Sequence, residues 1–213
     1  MHTLKINEIF FSLQGETSRM GLPTVFVRLT GCPLRCSYCD TEYAFHEGKS
    51  LTIARIVEKV KSYRTRYVTV TGGEPLAQKH CNQLLEALCD AGYSVSIETG
   101  GALDVSGIDP RVSRIVDIKT PGSQEAEKNL WSNIDWLNDR DEIKFVLSDH
   151  ADYDWAKSLV EEKRLASICP VLFSPVQGKL DPRELAQWIL EDQLDVRMQI
   201  QLHKLLWGNE TGR

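Results

Sequence analysis

Three cysteines close together, Cys32, Cys36 and Cys39, are the residues of this chain whose type and spacing imply chemistry most directly. They stand in Gly31-Cys32-Pro33-Leu34-Arg35-Cys36-Ser37-Tyr38-Cys39-Asp40, a C-x3-C-x2-C pattern with an aromatic residue just before the third cysteine. Three thiolates at this spacing can hold three corners of a 4Fe–4S cube. One iron is then left without a protein ligand, open to a substrate or cofactor. Two other readings stay open on spacing alone. A zinc knuckle would need a fourth ligand, which Asp40 or His46 offers. The thiols are also compatible with an ordinary turn.

A second motif, Thr71-Gly72-Gly73-Glu74-Pro75, follows the apolar run Tyr67–Thr71. Paired glycines at a strand end let the backbone approach a ligand closely, although such pairs also punctuate loops in general. Together with the cysteine loop one strand earlier, the turn resembles the GGE motif of the radical S-adenosylmethionine (SAM) superfamily. That resemblance implies a SAM whose methionine amino and carboxylate groups chelate the open iron, with the turn binding the amino group. In such enzymes the cofactor carries the difficult chemistry and the protein supplies position and electrostatics.

Further motifs narrow the resemblance. They are Phe11-Ser12-Leu13-Gln14-Gly15-Glu16, Arg28, Cys39-Asp40-Thr41, Ile97-Glu98-Thr99-Gly100-Gly101, Gln199-Ile200-Gln201-Leu202-His203-Lys204 and Trp207-Gly208-Asn209. The set spans nearly the whole chain and resembles the 7-carboxy-7-deazaguanine synthase family. That family converts 6-carboxy-5,6,7,8-tetrahydropterin to 7-carboxy-7-deazaguanine with loss of ammonia, for queuosine and related bases. The resemblance implies a carbon–nitrogen lyase in which a 5′-deoxyadenosyl radical takes hydrogen from carbon 6 and later returns it, regenerating SAM.

Residue roles follow by matching position. The resemblance implies that Cys32, Cys36 and Cys39 hold the cluster and that Tyr38, Cys39, Asp40, Gly73 and Glu74 lie along SAM. Where many members carry Ser-Pro-Lys, this chain has Asp117-Ile118-Lys119; Lys119 matches, and Asp117 is placed at the SAM ribose by position only. Leu13, Gln14, Gly15, Arg28, Thr71 and Glu98 are implied to contact the pterin, with Arg28 on its carboxylate, for which the guanidinium fork is suited. Thr41 is implied as a Mg²⁺ ligand, a hard oxygen donor for a hard cation. Glu98 and His203 are the candidate catalytic residues. Read without the resemblance, Arg28 is a structural ion-pair partner, Thr41 a turn residue and His203 equally a satisfied core histidine. Two further departures bear on the substrate side. Ser174-Pro175 replaces a common Gln-Pro, and the tail runs on as Gly208-Asn209-Glu210-Thr211-Gly212-Arg213.

The elements that must position these residues alternate. Strand candidates are Val25–Leu29, Tyr67–Thr71, Val95–Glu98, Ile115–Ile118, Ile143–Leu147, Ile168–Phe173 and Val196–Leu202. Helical periodicity marks Thr52–Ser62 and Asn82–Ala91. Asp181-Pro182-Arg183-Glu184 reads as an N-cap, a first-turn proline and a capping-box glutamate. Strand–helix alternation predicts an α/β fold, an open, partial TIM-like β/α barrel of about six parallel strands, with the site at the strands' carboxyl ends. We expect one domain over residues 1–213, a radical SAM core with short substrate-contacting extensions at both ends.

Composition bounds the rest. At 213 residues with a net charge of −5, the chain gives no electrostatic case for nucleic-acid binding. No apolar run approaches the roughly 20 residues of a membrane span, and the N-terminus lacks a signal-peptide core. The six cysteines are expected in a reducing cytoplasm, where clustered thiols bind metal rather than pair. Cys81, Cys89 and Cys169, scattered singly, are expected to be small core residues. The expected cofactors are a 4Fe–4S cluster, SAM and Mg²⁺. The expected partners are the small pterin, an external electron donor such as flavodoxin and, from the family resemblance, a second copy in a homodimer. Competing functions are a glycyl-radical activating enzyme and a non-catalytic iron–sulfur or zinc protein.

Overall fold

The computed structural model describes residues 2–208 and 210–212. One nine-stranded sheet runs through it in the order β3-β1-β2-β4-β5-β6-β7-β8-β9. The parallel part comprises β2 (Pro23–Leu29), β4 (Tyr67–Gly72), β5 (Ser94–Thr99), β6 (Ser113–Asp117), β7 (Glu142–Leu147), β8 (Val171–Pro175) and β9 (Arg197–Met198), in chain order. The first and last strands of the order do not pair with each other, so the barrel is open.

Three helices form where the sequence signals them. In α1 (Ile53–Lys61) the Thr52 hydroxyl accepts from Arg55 N, and Ile56 and Val60 are buried on the face toward the sheet. The helix α2 (Cys81–Asp90) buries Leu84, Leu85 and Leu88. In α4 (Pro182–Glu191) Asp181 accepts from Arg183 N and Pro182 takes the first turn, where its missing N–H costs nothing. Each cap satisfies one of the donors that a helix start leaves orphaned.

Strand alternation divides the sheet into two unlike faces. Val68, Val70, Val95, Ile97, Ile143 and Phe145 are buried in the apolar core together with α2 and α4 side chains. Their neighbours Thr69, Thr71, Ser96, Glu98 and Lys144 turn to the other side, where the open barrel encloses polar space. The period of two thus sends packing outward and polar groups inward along the same strands.

Several elements differ from the sequence reading. β1 (Thr3–Leu13) and the short β3 (Lys49–Thr52) were not foreseen; they add antiparallel strands beyond β2. A register irregularity between Ile6 and Glu8 breaks the alternation that would have marked β1. The expected strand Ile168–Phe173 begins only at Val171, because Leu165–Ser167 winds into a 3₁₀ turn. The expected strand Val196–Leu202 shrinks to β9, because Gln199 turns to bond the Thr17 backbone and the chain then enters the short helix α5 (Leu202–Trp207). The helix α3 (His150–Glu162) was also not foreseen; its buried face includes the charged Asp152 beside Tyr153, Ala156 and Val160, which blurs the apolar stripe.

Candidate functional site

β2 ends at Leu29 and the cysteine loop follows at its carboxyl end. Gly31, at φ +97, makes the turn that an L side chain would strain. Its N–H donates to Ala44 O at 2.9 Å and its carbonyl accepts from Glu74 N at 2.7 Å, tying the loop to the glycine turn after β4. On the far side, Ser37 donates through N and Oγ to Ser123 O and Gly122 O, at 3.0 and 2.7 Å, and Arg35 N donates to Glu125 Oε1 at 2.6 Å.

Cys32, Cys36 and Cys39 are free, part-exposed thiols that line one cavity of about 650 Å³. Burial pushes all three thiols up from their ordinary range, and the Lys119 ammonium opposes it at each. Two observations fit a cluster with an amino-acid-bearing cofactor on it. A Cβ on Gly73 would overlap Gly31 O and stand 2.8 Å from Cys32 Cβ, so the bare backbone of the turn lies against the cysteine loop. Asp117 Oδ1 is buried in the same cavity without a hydrogen-bond partner among the described residues, an acceptor facing ligand space. The zinc reading fits less well. Asp40 is engaged by Lys204, Gln201 and Thr41, and His46 is exposed and outside the cavity lining.

The residues assigned to SAM divide. Tyr38, Asp40, Gly73, Asp117 and Lys119 line the cavity. Tyr38 Oη donates to Val146 O at 3.1 Å, which fixes the ring. Lys119 Nζ pairs with Asp117 Oδ2 at 2.9 Å; burial alone would lower its pKa, but Asp117 and the Cys36 thiol outweigh it, and the group stays cationic. Glu74 is the correction. It is fully buried and absent from the cavity wall. Its carboxylate accepts from Leu76 N at 3.0 Å, Thr99 Oγ1 at 2.9 Å and Gly100 N at 2.7 Å. It holds the glycine turn against β5 from beneath, with no surface left for a ligand.

A second cavity of about 390 Å³ adjoins the first, sharing Thr71, Glu98, Lys144 and Gln201 as common wall. It is lined by Leu13, Gln14, Gly15, Arg28, Thr71, Glu98 and His203, so every residue assigned to the pterin converges here. Gln14 Nε2 donates to Glu98 Oε1 at 3.1 Å and Thr71 Oγ1 to Glu98 Oε2 at 3.0 Å. Burial pushes the Glu98 carboxyl up, against the attraction of Lys144. Arg28 Nε donates to Glu8 Oε1 at 2.8 Å, across the β1–β2 pair, with the guanidinium over the Phe10 and Tyr43 rings. Its structural pairing and its place on the cavity wall therefore coexist. His203 packs on Gly15, where a Cβ would overlap its Nδ1, and burial lowers its pKa. Thr41 lines both cavities, its Oγ1 donating to Asp40 Oδ1 at 2.8 Å and its lone pairs free for a hard cation.

Among the wall residues without an assigned role, Glu16, Lys144, Gln201 and Lys204 form a connected polar network with Asp40. Lys144 Nζ pairs with Glu16 Oε2, and Gln201 Nε2 reaches both Glu16 Oε1 at 2.9 Å and Asp40 Oδ2 at 3.3 Å. Lys204 Nζ pairs with Asp40 Oδ2 at 2.7 Å. A signal for Lys144 existed: a lysine flanked by Ile143 and Phe145 in an apolar strand needs a reason to be there. The C-terminal segment is held over the site by Leu202 N to Gly15 O at 3.0 Å and by Gln199 bonding both N and O of Thr17 at 2.8 Å. The described tail residues Gly208 and 210–212 line the smaller cavity; Asn209 and Arg213 lie outside the described residues.

Comparison with known proteins agrees with this geometry. The family model described as Radical SAM superfamily matches residues 26–118. A 7-carboxy-7-deazaguanine synthase of Chlorobaculum tepidum is 49% identical over 211 residues, 98% of this chain and 96% of that protein. One of Koribacter versatilis is 42% identical over 223 residues, covering 98% and 99%. The crystal structure of QueE from Escherichia coli superposes with a TM-score of 0.78 at 23% identity, covering 94% of this chain and 95% of that one.

Proposed function

The chain belongs to the 7-carboxy-7-deazaguanine synthase family of the radical SAM superfamily, and from that premise we propose how its residues divide the work. The reaction is conversion of 6-carboxy-5,6,7,8-tetrahydropterin to 7-carboxy-7-deazaguanine with loss of ammonia. The observation that carries the reading is the shared wall. The thiol-lined cavity and the Gln14–Thr71–Glu98 cavity share wall residues, which places a cofactor in one beside a small planar substrate in the other.

Cys32, Cys36 and Cys39 would hold the cluster, and Asp117, Lys119, Tyr38, Asp40 and the Gly73 backbone would hold SAM. When bound, these groups supply the reductive cleavage that starts radical chemistry. The chain's own residues orient and shield. Lys119 offsets the negative charge of the thiolates. Arg28, with the remaining arms of its fork, meets the substrate carboxylate, and Thr41 with Mg²⁺ would meet the same end. Glu98, fixed by two donors, accepts from the pterin's amidine-like edge. His203 and the C-terminal segment cover the ring and exclude water. Glu74 acts through the turn it supports.

Further proposals are coarser. Residues 1–213 act as a single core, with the segments before β2 and after β8 as substrate-contacting extensions. Among the described residues no helix is long and apolar enough to cross a membrane. A cytoplasmic homodimer drawing on a flavodoxin-like donor fits the family.

The test is anaerobic reconstitution, then addition of reductant, SAM, Mg²⁺ and 6-carboxy-5,6,7,8-tetrahydropterin. The expected result is 7-carboxy-7-deazaguanine by mass spectrometry with SAM not consumed. Net SAM loss without that product would reject the assignment.

A further inference from the structure

β7 reads Glu142-Ile143-Lys144-Phe145-Val146-Leu147. Ile143 and Phe145 are fully buried in the helix-backed core, while Lys144 lines both cavities with its side chain 12% exposed. Its ammonium has three donors, and among the described residues only Glu16 takes one. Two N–H groups therefore remain for a ligand, in space where leaving them without an acceptor is costly.

Glu98 presents the opposite surplus. A carboxylate accepts about four hydrogen bonds, and the protein supplies Glu98 with two, from Gln14 and Thr71. Neighbouring charges of the site are paired with opposite charges: Glu16 with Lys144, Asp117 with Lys119, and Arg28 with Glu8. The charged groups facing Lys144 are Glu16, Asp117 and Glu98; those facing Glu98 are Lys144 and Glu16. Glu98 lies on β5 and Lys144 on β7, with β6 and its Ile115 between them. Strands two apart are separated by roughly 10 Å, the width of one flat heterocycle edge with a hydrogen bond at either end.

Resting on the pterin reading above, we propose that Glu98 and Lys144 together read the 2-amino-4-oxo edge of the substrate, and that Lys144 is a specificity-determining residue. That edge presents donor, donor, acceptor: the 2-amino group, the ring N3–H and the 4-oxo oxygen. Glu98 accepts from the first two, and Lys144 donates to the oxygen. A 2,4-diamino ring places a second donor against the ammonium, which has no lone pair to offer, and turns N3 into an acceptor facing Glu98, so it is rejected at both residues. Glu16 is the positioning partner that holds the Lys144 side chain toward the cavity.

The experiment uses the reconstituted enzyme with SAM and without reductant, so that nothing turns over. Binding of 6-carboxypterin and of 2,4-diaminopteridine-6-carboxylate is measured anaerobically by calorimetry. The parent enzyme is expected to favour the 4-oxo ligand by more than about 10-fold, since the diamino ring loses a charge-assisted bond at Lys144 and the N3–H bond at Glu98. Lys144→Gln should cut that preference by about 10-fold or more, because an amide can either donate or accept, and leave the remainder that Glu98 imposes at N3. Glu16→Gln, which keeps the ammonium, should retain most of the preference. If Lys144→Gln does not fold, Glu16→Gln combined with Lys144→Gln replaces the buried ion pair by an amide pair, and the same ratio is read there. Equal weakening of both ligands, with the ratio preserved, would show Lys144 to be only the structural partner of Glu16 and overturn the inference while leaving the pterin reading intact. Failure of the parent enzyme to bind either ligand would instead remove the pterin reading, and the inference with it.

Discussion

The two faces of the same strands do different work. On β5, Val95 and Ile97 are almost fully buried against helices, while Ser96 and Glu98 turn to the cavity side. The outward face is apolar and packed, the kind of surface in which burial stabilises the fold. The inward face carries Glu98, Lys144 and Asp117, charges whose desolvation opposes folding and which are held in place by partners from other elements. One strand therefore divides stability from chemistry residue by residue. The comparison makes a demand: changes on the outward face should cost folding, and changes on the inward face should cost ligand binding.

The cysteine loop gives the largest expected effect on the chemical side. If Cys36 holds one cluster corner, Cys36→Ala should abolish SAM cleavage while far-ultraviolet circular dichroism stays that of the parent. The loop is held by Ser37 and Arg35 to backbone and side chain of the 122–125 segment, contacts that do not involve the Cys36 side chain. Full deoxyadenosine formation with intact iron content would break the assignment of chemistry to this loop.

Adjacent residues on β5 sharpen the contrast. Ile97→Ala should destabilise by about 2–5 kcal/mol, the range for a large-to-small change in a packed core, with residual folded protein still binding ligand. Glu98→Gln should leave thermal stability level or raise it. Its carboxyl is pushed up by burial, so the ionised group opposes folding near neutral pH, and the amide removes that cost. Pterin-analogue affinity should fall sharply instead. Unfolding by denaturant and binding by calorimetry, run on both variants, decide it.

How far the two faces were legible in the sequence follows from the same division. The outward face was readable because Val25–Leu29, Tyr67–Thr71 and Ile143–Leu147 are apolar and β-branched runs, and helix starts such as Thr52 and Asp181 carry their own local signals. Motif positions on the inward face, Gln14, Thr71 and Glu98, were legible because they sit beside recognisable turns. Partners brought from far away were not. Lys144 meets Glu16 across 128 positions and Gln201 meets Asp40 across 161, and no local pattern encodes either. Glu74 was misread for a related reason: its neighbours face a ligand, but its own side chain turns inward to Thr99 and Gly100. β1 was missed because its irregular register hides the alternation of an antiparallel strand.

Arg28 tests a residue that belongs to both categories. It pairs with Glu8 and lines the smaller cavity, with 16% of its side chain exposed. If it serves the pterin carboxylate, Arg28→Ala should weaken 6-carboxypterin by about 10- to 150-fold and leave SAM affinity nearly unchanged. Arg28→Lys should fall between, since it keeps charge but loses the fork. Equal loss of both ligands would assign Arg28 to the structural side.

The smallest effect is expected at the C-terminal latch, where the two categories meet. Lys204 Nζ lies 2.7 Å from Asp40 Oδ2, joining α5 to the end of the cysteine loop. Asp40 keeps 44% of its side chain exposed, so solvent screens the pair and its contribution to stability should be at most about 1 kcal/mol. Burial pushes the Asp40 carboxyl up, but Lys204, Thr41 and Gln201 outweigh it and hold its folded pKa below the ordinary range. A depressed carboxylate stabilises the fold above its unfolded pKa, about 4, and loses that contribution as pH falls through the lower folded value. The melting temperatures of the parent and Lys204→Met should therefore differ by a constant small amount between pH 7 and about pH 5, and converge only below about pH 4. High salt at pH 7 should also bring them together. A gap that persists in high salt and on acidification would show that Lys204 acts through its packed stem rather than its charge, placing the latch with the outward face instead of the inward one.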